Sequence, residues 1–372
     1  MMALSMGERA AASAKARAFR GRMLSPEEYM RLLECDTVGR IALYLSRTEA
    51  YGSYLEGSPR LEEMHRWQVE EIISLAPLLE EAPFRRYLGG VRSSLLLLWG
   101  ERLDVEVVNR TLRMVTTGTS SREALRRWAE PAKMTLADKD RLLSAQSVRD
   151  VLDSVSGGPL ERVLGEPLRR FPSSGGADGG ALFRAKNAMD SFFLTRIMSG
   201  AGRLPVAERA RVRRLFGVRA DLVNIYSIYR ARKFYRMSPE EALAITLPVR
   251  YMLKHGELSE FAFAADVRSM TALMSESRYG EAFRAEGTTG EMELEHNLYR
   301  FLWDAATAVF ASGSMGVHVP LAYLTLRELE VKDLFTIIEG VRYHYDTGKL
   351  RGFLINPGAR AADREGRMRW LS

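Results

Sequence analysis

The sequence predicts an all-α protein assembled from one helical building block used three times. Three observations carry this. Apolar residues recur with a helical period almost throughout, and no alternating run of strand length lacks a competing helical reading. Signatures that open helices return along the chain. An acid followed three residues later by an amide or second acid also returns, at a domain-sized interval. At 372 residues the chain exceeds one typical domain and suits two or three cores.

Taken in order, the chain opens on "MMALSMGERAAASAKARAFRGR", which is basic and Ala-rich but has no apolar stretch able to act as a secretory signal. In "SPEEYMRLLE" Ser25 is an N-cap, Pro26 the first helical residue and Glu28 the acid that reaches back, which together form a capping box. Ser238, Pro239 and Glu241 repeat the device. The densest apolar run, "SSLLLLW" at 93–99, is far short of the ~20 residues that span a bilayer, so any work at a membrane is done from outside it. The Gly/Ser-rich stretch 170–185 reads as a long flexible loop. From Asn356 onward no core pattern is visible, and the end of the chain is expected to fray.

The repeat emerges when "EVVNRTLRM" from Glu106, "DLVNIYSIY" from Asp221 and "EVKDLFTII" from Glu330 are aligned. Their second polar positions, Asn109, Asn224 and Asp333, are about 110 residues apart. Val107, Leu222 and Val331 correspond, as do Met114, Tyr229 and Ile338, and these lie on one helix face. Arg110 and Thr111 interrupt that face in the first copy. Capped openings recur near 24 ("LSPEEYMRLLE"), 136 ("LADKDRLLSA") and 237 ("MSPEEALAIT"). The expected division is therefore three helical repeat domains, 1–130, 131–236 and 237–347, with 348–372 as a frayed tail.

Composition narrows the function. Hydrophobic residues at 46% and charged residues at 27% fit an ordinary globular protein. An excess of Lys and Arg, 54 against 47 acids, gives +7 and permits acidic partners without demanding them. Ten basic side chains lie between Arg203 and Arg236 against only Glu208 and Asp221, a density that serves either as a solvated face or as an acidic partner's landing site. Phe216, Tyr226, Tyr229, Phe234 and Tyr235 lie within it and could stack on bases, although their helical spacing favours a core. The stretch 61–83 is mostly acidic and should polarise the surface. Cys35 stands alone, excludes an internal disulfide, and reads as a small core residue.

No catalytic pattern is present in this sequence. "ASGSMGVHVP" at 311–320 offers glycines but no phosphate-binding lysine. The five histidines, His65, His255, His296, His318 and His344, are scattered outside any metal-binding spacing, and "EMELEH" ending at His296 reads as a solvated acidic face. The recurring acid and amide share a helix face and could form a paired site. An early acid also complements the helix dipole by ~0.3–1 kcal/mol, and repetition at domain period favours this structural role. No catalytic residue, cofactor site or metal site is assigned, and no small-molecule substrate is expected.

Four stretches carry a family resemblance: the entry at 14–55 with Thr48 and Tyr51, "DLVNIYSIYRARKFY" at 221–235, the run 294–345, and the threefold repetition. Together they resemble the C subunit of bacterial and archaeal V-type (A/V-type) ATPases, equivalent to the d subunit of the eukaryotic vacuolar enzyme. The first acid-initiated helix departs from that pattern, ending in "RMVTTGT" rather than in base. The resemblance implies three helical domains about a pseudo-threefold axis, forming a funnel. It further implies a single copy per complex, peripheral on the cytoplasmic side of a membrane. There the protein would join the central stalk to the membrane rotor ring and transmit torque for proton or sodium transport. Glu106, Asn109, Asp221, Asn224, Glu330 and Asp333 would then keep the domains packed, and Arg230 and Arg232 are candidate partner contacts. The competing reading is a helical-repeat scaffold that binds protein or nucleic acid through 203–236. A helical hydrolase with an unrecognised carboxylate pair is a third.

Overall fold

The computed structural model describes residues 2–58, 60–118, 121–169, 179–284 and 291–361. Most of the Gly/Ser-rich stretch, 170–178, and the chain beyond 361 lie outside them. Among the described residues the regular elements are helices and no strand is present. Two compact units result, Met1–Leu88 with Ala285–Ser372, and Gly89–Arg284.

The first unit begins with α1 (Met2–Gly21), α2 (Pro26–Leu33), α3 (Val38–Leu45), α4 (Gly52–Leu55), α5 (Arg66–Leu79) and α6 (Glu81–Arg85). The second contains α7 (Gly90–Thr117), α8 (Arg122–Ala129), α9 (Lys139–Ser144), α10 (Val148–Ser154), α11 (Pro159–Leu168), α12 (Gly179–Ala201), α13 (Val206–Lys233), α14 (Pro239–Ala244), α15 (His255–Phe263), α16 (Val267–Glu276) and α17 (Glu281–Arg284). The chain then returns to the first unit with α18 (Glu291–Phe310), α19 (His318–Arg342), α20 (Thr347–Phe353) and α21 (Pro357–Ala361).

Local chemistry starts these helices where the sequence expects it. Ser25 accepts from the Glu28 amide at 3.2 Å while Glu28 accepts from the Ser25 amide at 2.7 Å, which satisfies two otherwise orphaned donors. Ser238 and Glu241 do the same at 3.2 and 2.9 Å. Ser121, Asp138, Ser147 and Asp266 cap α8, α9, α10 and α16 through their side chains.

The core of the first unit is α19. It is buried on every side along nearly its whole length, the pattern of a central helix rather than an amphipathic surface one. Tyr29, Leu32, Ile41 and Leu45 from the start of the chain pack on Leu334, Ile337 and Ile338 of α19. Each such burial contributes roughly 1.5–3 kcal/mol before entropy is counted. In the second unit α12 packs between α7 and α13. There Trp99 lies edge-on to Phe193 and Phe216, with ring centroids 6.3 Å away from both.

Several expectations need correction. The segment 348–361 is ordered: α20 and α21 bury Leu350, Leu354, Ile355 and Ala359, and Arg300 Nη2 holds the Leu354 carbonyl at 3.1 Å. Two short helices contribute one or two anchors each, too few to show a period. The acidic stretch 61–83 is not simply a surface feature, because Glu71, Glu80 and Glu81 are buried. His296 is buried rather than solvated and lies 3.3 Å from the Thr336 hydroxyl. Burial lowers its pKa to about 4 and keeps the ring neutral. Cys35 is half-buried at the rim of the core, its thiol donating to the Arg31 carbonyl at 3.4 Å.

Candidate functional site

The same device occurs three times within the two units: a buried carboxylate midway along a long helix grips the backbone that opens a layer of short helices. On α13, Asp221 accepts from the amides of Tyr251, Met252 and Leu253 at 2.9, 2.6 and 3.2 Å, which lie 30, 31 and 32 residues further on. On α7, Asp104 accepts from Met134, Thr135 and Leu136 at 3.0, 2.7 and 3.3 Å, again 30, 31 and 32 residues on. On α19, Glu330 accepts from the Leu24 amide at 2.9 Å, reaching back to the beginning of the chain. Each clamp satisfies backbone donors that burial would otherwise orphan, at a cost of ~1–3 kcal/mol per group.

A tyrosine completes two of the three clamps. Tyr279 donates to Asp221 at 2.9 Å, and Tyr51 donates to Glu330 at 3.0 Å. Glycine follows each tyrosine because the turn leaves no room: a Cβ on Gly280 would run into the Ser275 carbonyl, and one on Gly52 would come within 2.9 Å of Ser46 O. At Asp104 the hydroxyl comes instead from Thr135, at 3.0 Å.

A second polar residue, one turn on, also grips backbone on α13 and α19: Asn224 just before the loop held by Asp221, and Asp333 in the connection between α20 and α21. Asn224 accepts from Leu247 at 2.6 Å and donates to the Val249 carbonyl at 3.2 Å. Asp333 accepts from Ile355 at 2.6 Å, from Asn356 at 3.0 Å and from the Tyr29 hydroxyl at 3.3 Å. The corresponding position after Asp104 is the buried apolar Val107.

In the first copy the sequence alignment is therefore two residues out of register. Glu106 and Asn109 are half-buried, at 3.4 Å from each other, and Glu106 pairs with Arg110 at 3.1 Å. They hold no loop, and the acid that does is Asp104. The helix openings shift likewise: the partner of the openings at Leu24 and Leu136 is Leu253, at the Asp221 clamp, while Ser238 and α14 match Ser121 and α8.

Around Glu330 lies a buried charge network that sequence reading did not find. Arg327, 1% exposed, donates to Glu330, to the Ala50 carbonyl and to Glu80, the last at 3.2 Å, while its guanidinium covers the Tyr51 ring at 4.0 Å. Glu80 also accepts from Tyr54 at 3.1 Å and Tyr323 at 2.6 Å. Burial pushes the Glu330 pKa up, against the pull of Arg327 and the Leu24 amide. Burial raises Asp333 to about 7, opposed by its two amide donors and Tyr29. Asp221 is also raised by burial, with the Met252 and Tyr251 amides opposing. Tyr323, Arg327 and Glu330 share α19, but their partners come from around α4 and from Glu80 between α5 and α6, more than 240 residues earlier, so nothing local announces the network.

Arg230 and Arg232 are half-buried and engaged within the fold. Arg230 donates to the Tyr235 hydroxyl at 3.3 Å and lies 5.4 Å from the Phe183 ring. Arg232 donates to the Met237 and Ala264 carbonyls, both at 3.1 Å, tying α13 to the end of α15. Phe216 and Tyr229 are buried, and Tyr235 stacks on Phe183 at 4.5 Å.

Chemistry has little to work with. No group of three His, Cys, Asp or Glu among the described residues could hold a metal ion. A cleft of about 200 Å³ beside Phe19, Ser53 and Pro83 is walled by Glu80, Arg327, Tyr54 and Tyr323, whose polar groups satisfy one another. No helix among the described residues is long and apolar enough to cross a membrane.

Comparison with known proteins identifies the family. A sequence model of the ATP synthase (C/AC39) subunit family matches residues 12–353. The A-type ATP synthase C subunit of Methanothermobacter thermautotrophicus is 24% identical over 342 residues, covering 89% of this chain and 83% of that protein. The proteins of the same description from Methanosphaera stadtmanae and Methanobrevibacter smithii are 20% and 21% identical, with the same coverage of each chain. The chain thus belongs to the ATP synthase (C/AC39) subunit family and is a structural, non-catalytic subunit whose partners lie within that complex.

Proposed function

We propose that the protein is the central-rotor subunit of a rotary A/V-type ATPase or ATP synthase, joining the central stalk to the membrane rotor ring and transmitting torque that drives proton or sodium transport. The relatives described as C subunits of A-type ATP synthases support this assignment. So does the physical character of the fold. A coupling performs no reaction; it has to hold its shape under load, and a buried carboxylate that pins several backbone amides at once stiffens the junction between a long helix and the layer it carries.

In this proposal the three repeats, 1–130, 131–236 and 237–347, stand about a pseudo-threefold axis as a funnel on the cytoplasmic face of the membrane, in one copy per complex. Stalk and ring contacts each bury about the 1,600 Å² of a standard interface. Arg230 and Arg232 brace the edge of the second repeat that meets a partner.

The observation that carries the proposal is the family match over 12–353. Its test is purification of a tagged chain from detergent-solubilised membranes. Stalk and ring subunits should accompany it, and complexes lacking the chain should hydrolyse ATP without moving ions. A tagged chain that brings down neither group of subunits, or a deletion that leaves transport intact, overturns it.

A further inference from the structure

The basic segment 203–236 is divided in two by the structure. Its C-terminal half is used internally, as Arg219, Arg230 and Lys233 cover the rings of Trp99, Phe183 and Tyr229, and Arg232 holds backbone carbonyls. Its N-terminal half is different. Arg203, Arg213 and Arg214 are exposed and Arg209 and Arg211 half-exposed, and no carboxylate among the described residues pairs with any of them. Arg209 and Arg211 donate only to the carbonyls of Gly202 and Ala207, at 3.3 and 2.8 Å. The one nearby acid, Glu208, is buried and already held by Arg92 at 3.1 and 2.9 Å.

At about 100° per residue, α13 places these groups in an order. Val206 and Ala210 form an exposed apolar strip. Arg209 and Arg213 lie along one side of it, Arg211 and Arg214 along the other. The arrangement is disfavoured by the helix itself, because Arg209 and Arg213 repel at i, i+4 spacing and Arg209 lies in the first turn, at the positive end of the dipole.

We infer that the first half of α13 is a docking face for an acidic amphipathic helix of another protein. The small strip lets a second helix approach to the usual 8–10 Å between axes, and the flanking arginines meet Asp and Glu on either side of its apolar seam. Five arginines and no lysine suit carboxylates, which accept the guanidinium fork bidentately. An anionic lipid surface shares that charge preference, but the strip offers no Trp, Tyr, Phe or Leu to enter a bilayer. The partner is defined by chemistry, so the inference stands apart from the rotor assignment.

The test uses the full chain and a synthetic helical peptide with an Ala/Leu seam flanked by Glu, compared with the same peptide carrying Gln. The Glu peptide should bind with an affinity that falls as salt rises, and the Gln peptide should not. Reversal of one flank, Arg209→Glu with Arg213→Glu, should weaken binding at least about tenfold, whereas Arg113→Glu with Arg250→Glu, of equal charge change elsewhere, should leave it within about twofold. Val206→Glu places an acid where the helix dipole favours it, so the fold is kept while the peptide is repelled, and binding should again fall. Equal binding of both peptides, an equal loss in the control variant, or no binding of the Glu peptide overturns the inference. So does arginine-dependent sedimentation with phosphatidylglycerol vesicles in place of peptide binding, which would assign the face to lipid.

Discussion

Glu330 accepts the amide hydrogen of Leu24 at 2.9 Å, across a sequence separation of 306 residues. The same carboxylate receives Arg327 and the Tyr51 hydroxyl. Glu330→Gln keeps the shape and can still accept from Leu24, but it leaves the buried Arg327 with Glu80 as its only anionic partner among the described residues. Breaking a buried pair on one side costs about 3 kcal/mol or more. Urea unfolding should register that loss, and a change below about 1 kcal/mol would show that the network adds nothing to stability.

Asp104 and Glu106 are two residues apart and should behave very differently. Asp104→Ala strips the acceptor from three amides and the Thr135 hydroxyl, and should destabilise by about 3 kcal/mol. Glu106→Ala removes a half-exposed ion pair with Arg110 and should cost less than about 1 kcal/mol. Thermal unfolding of the two variants decides between the clamp seen in the structure and the register read from the sequence. The reverse ranking would restore the sequence alignment.

Asp333 makes stability depend on pH in an unusual direction. Its folded pKa, raised by burial to about 7, lies above the unfolded value, so the folded state binds the extra proton between pH ~4 and ~7. Its contribution is therefore fully present below about pH 4 and declines as pH rises to about 7, by up to ~4 kcal/mol, then levels off. Asn224 fills the corresponding position on α13, so Asp333→Asn should be tolerated. Unfolding free energies of the two proteins, compared across this range, should converge toward or cross in favour of the variant as pH rises. A constant difference would refute the assignment.

Arg232→Ala should loosen the connection between the end of α13 and the end of α15, because the carbonyls of Met237 and Ala264 lose a charged donor worth about 1.5–3 kcal/mol each. Hydrogen exchange should quicken across 234–264 while α7 and α12 stay protected. Unchanged exchange there would remove Arg232 from the brace.

The helical class and the capping boxes at Ser25 and Ser238 are local, and one helical turn of sequence is enough to read them. Asp221, Asn224, Glu330 and Asp333 were legible as a recurring pattern, though not as clamps, since the loops they hold lie 22 or more residues away or at the other end of the chain. Asp104 was missed because Glu106 with Asn109 imitates the acid and amide at the same spacing, and Val107 removes the second polar group that would have marked the true register. The repeated capped helix was misplaced for a related reason: Ser238 looks like Ser25, yet its position before the gripped loop matches Ser121. The compact units follow from the same geometry. α7 and α13 hold the short helices that come after them, while α19 holds the layer that opens the chain, so the repeats of the sequence and the blocks of the structure are cut at different places.

The bond from Leu24 to Glu330 also sets an order of events during synthesis. Residues 89–284 contain both carboxylates they need and all the loops those carboxylates hold, and can settle while translation proceeds. The opening layer cannot. Its tyrosines and leucines have no central helix to cover until the ribosome has made α19, so residues that emerge long before it are the last to find their place, and a truncated nascent chain would present them to chaperones throughout.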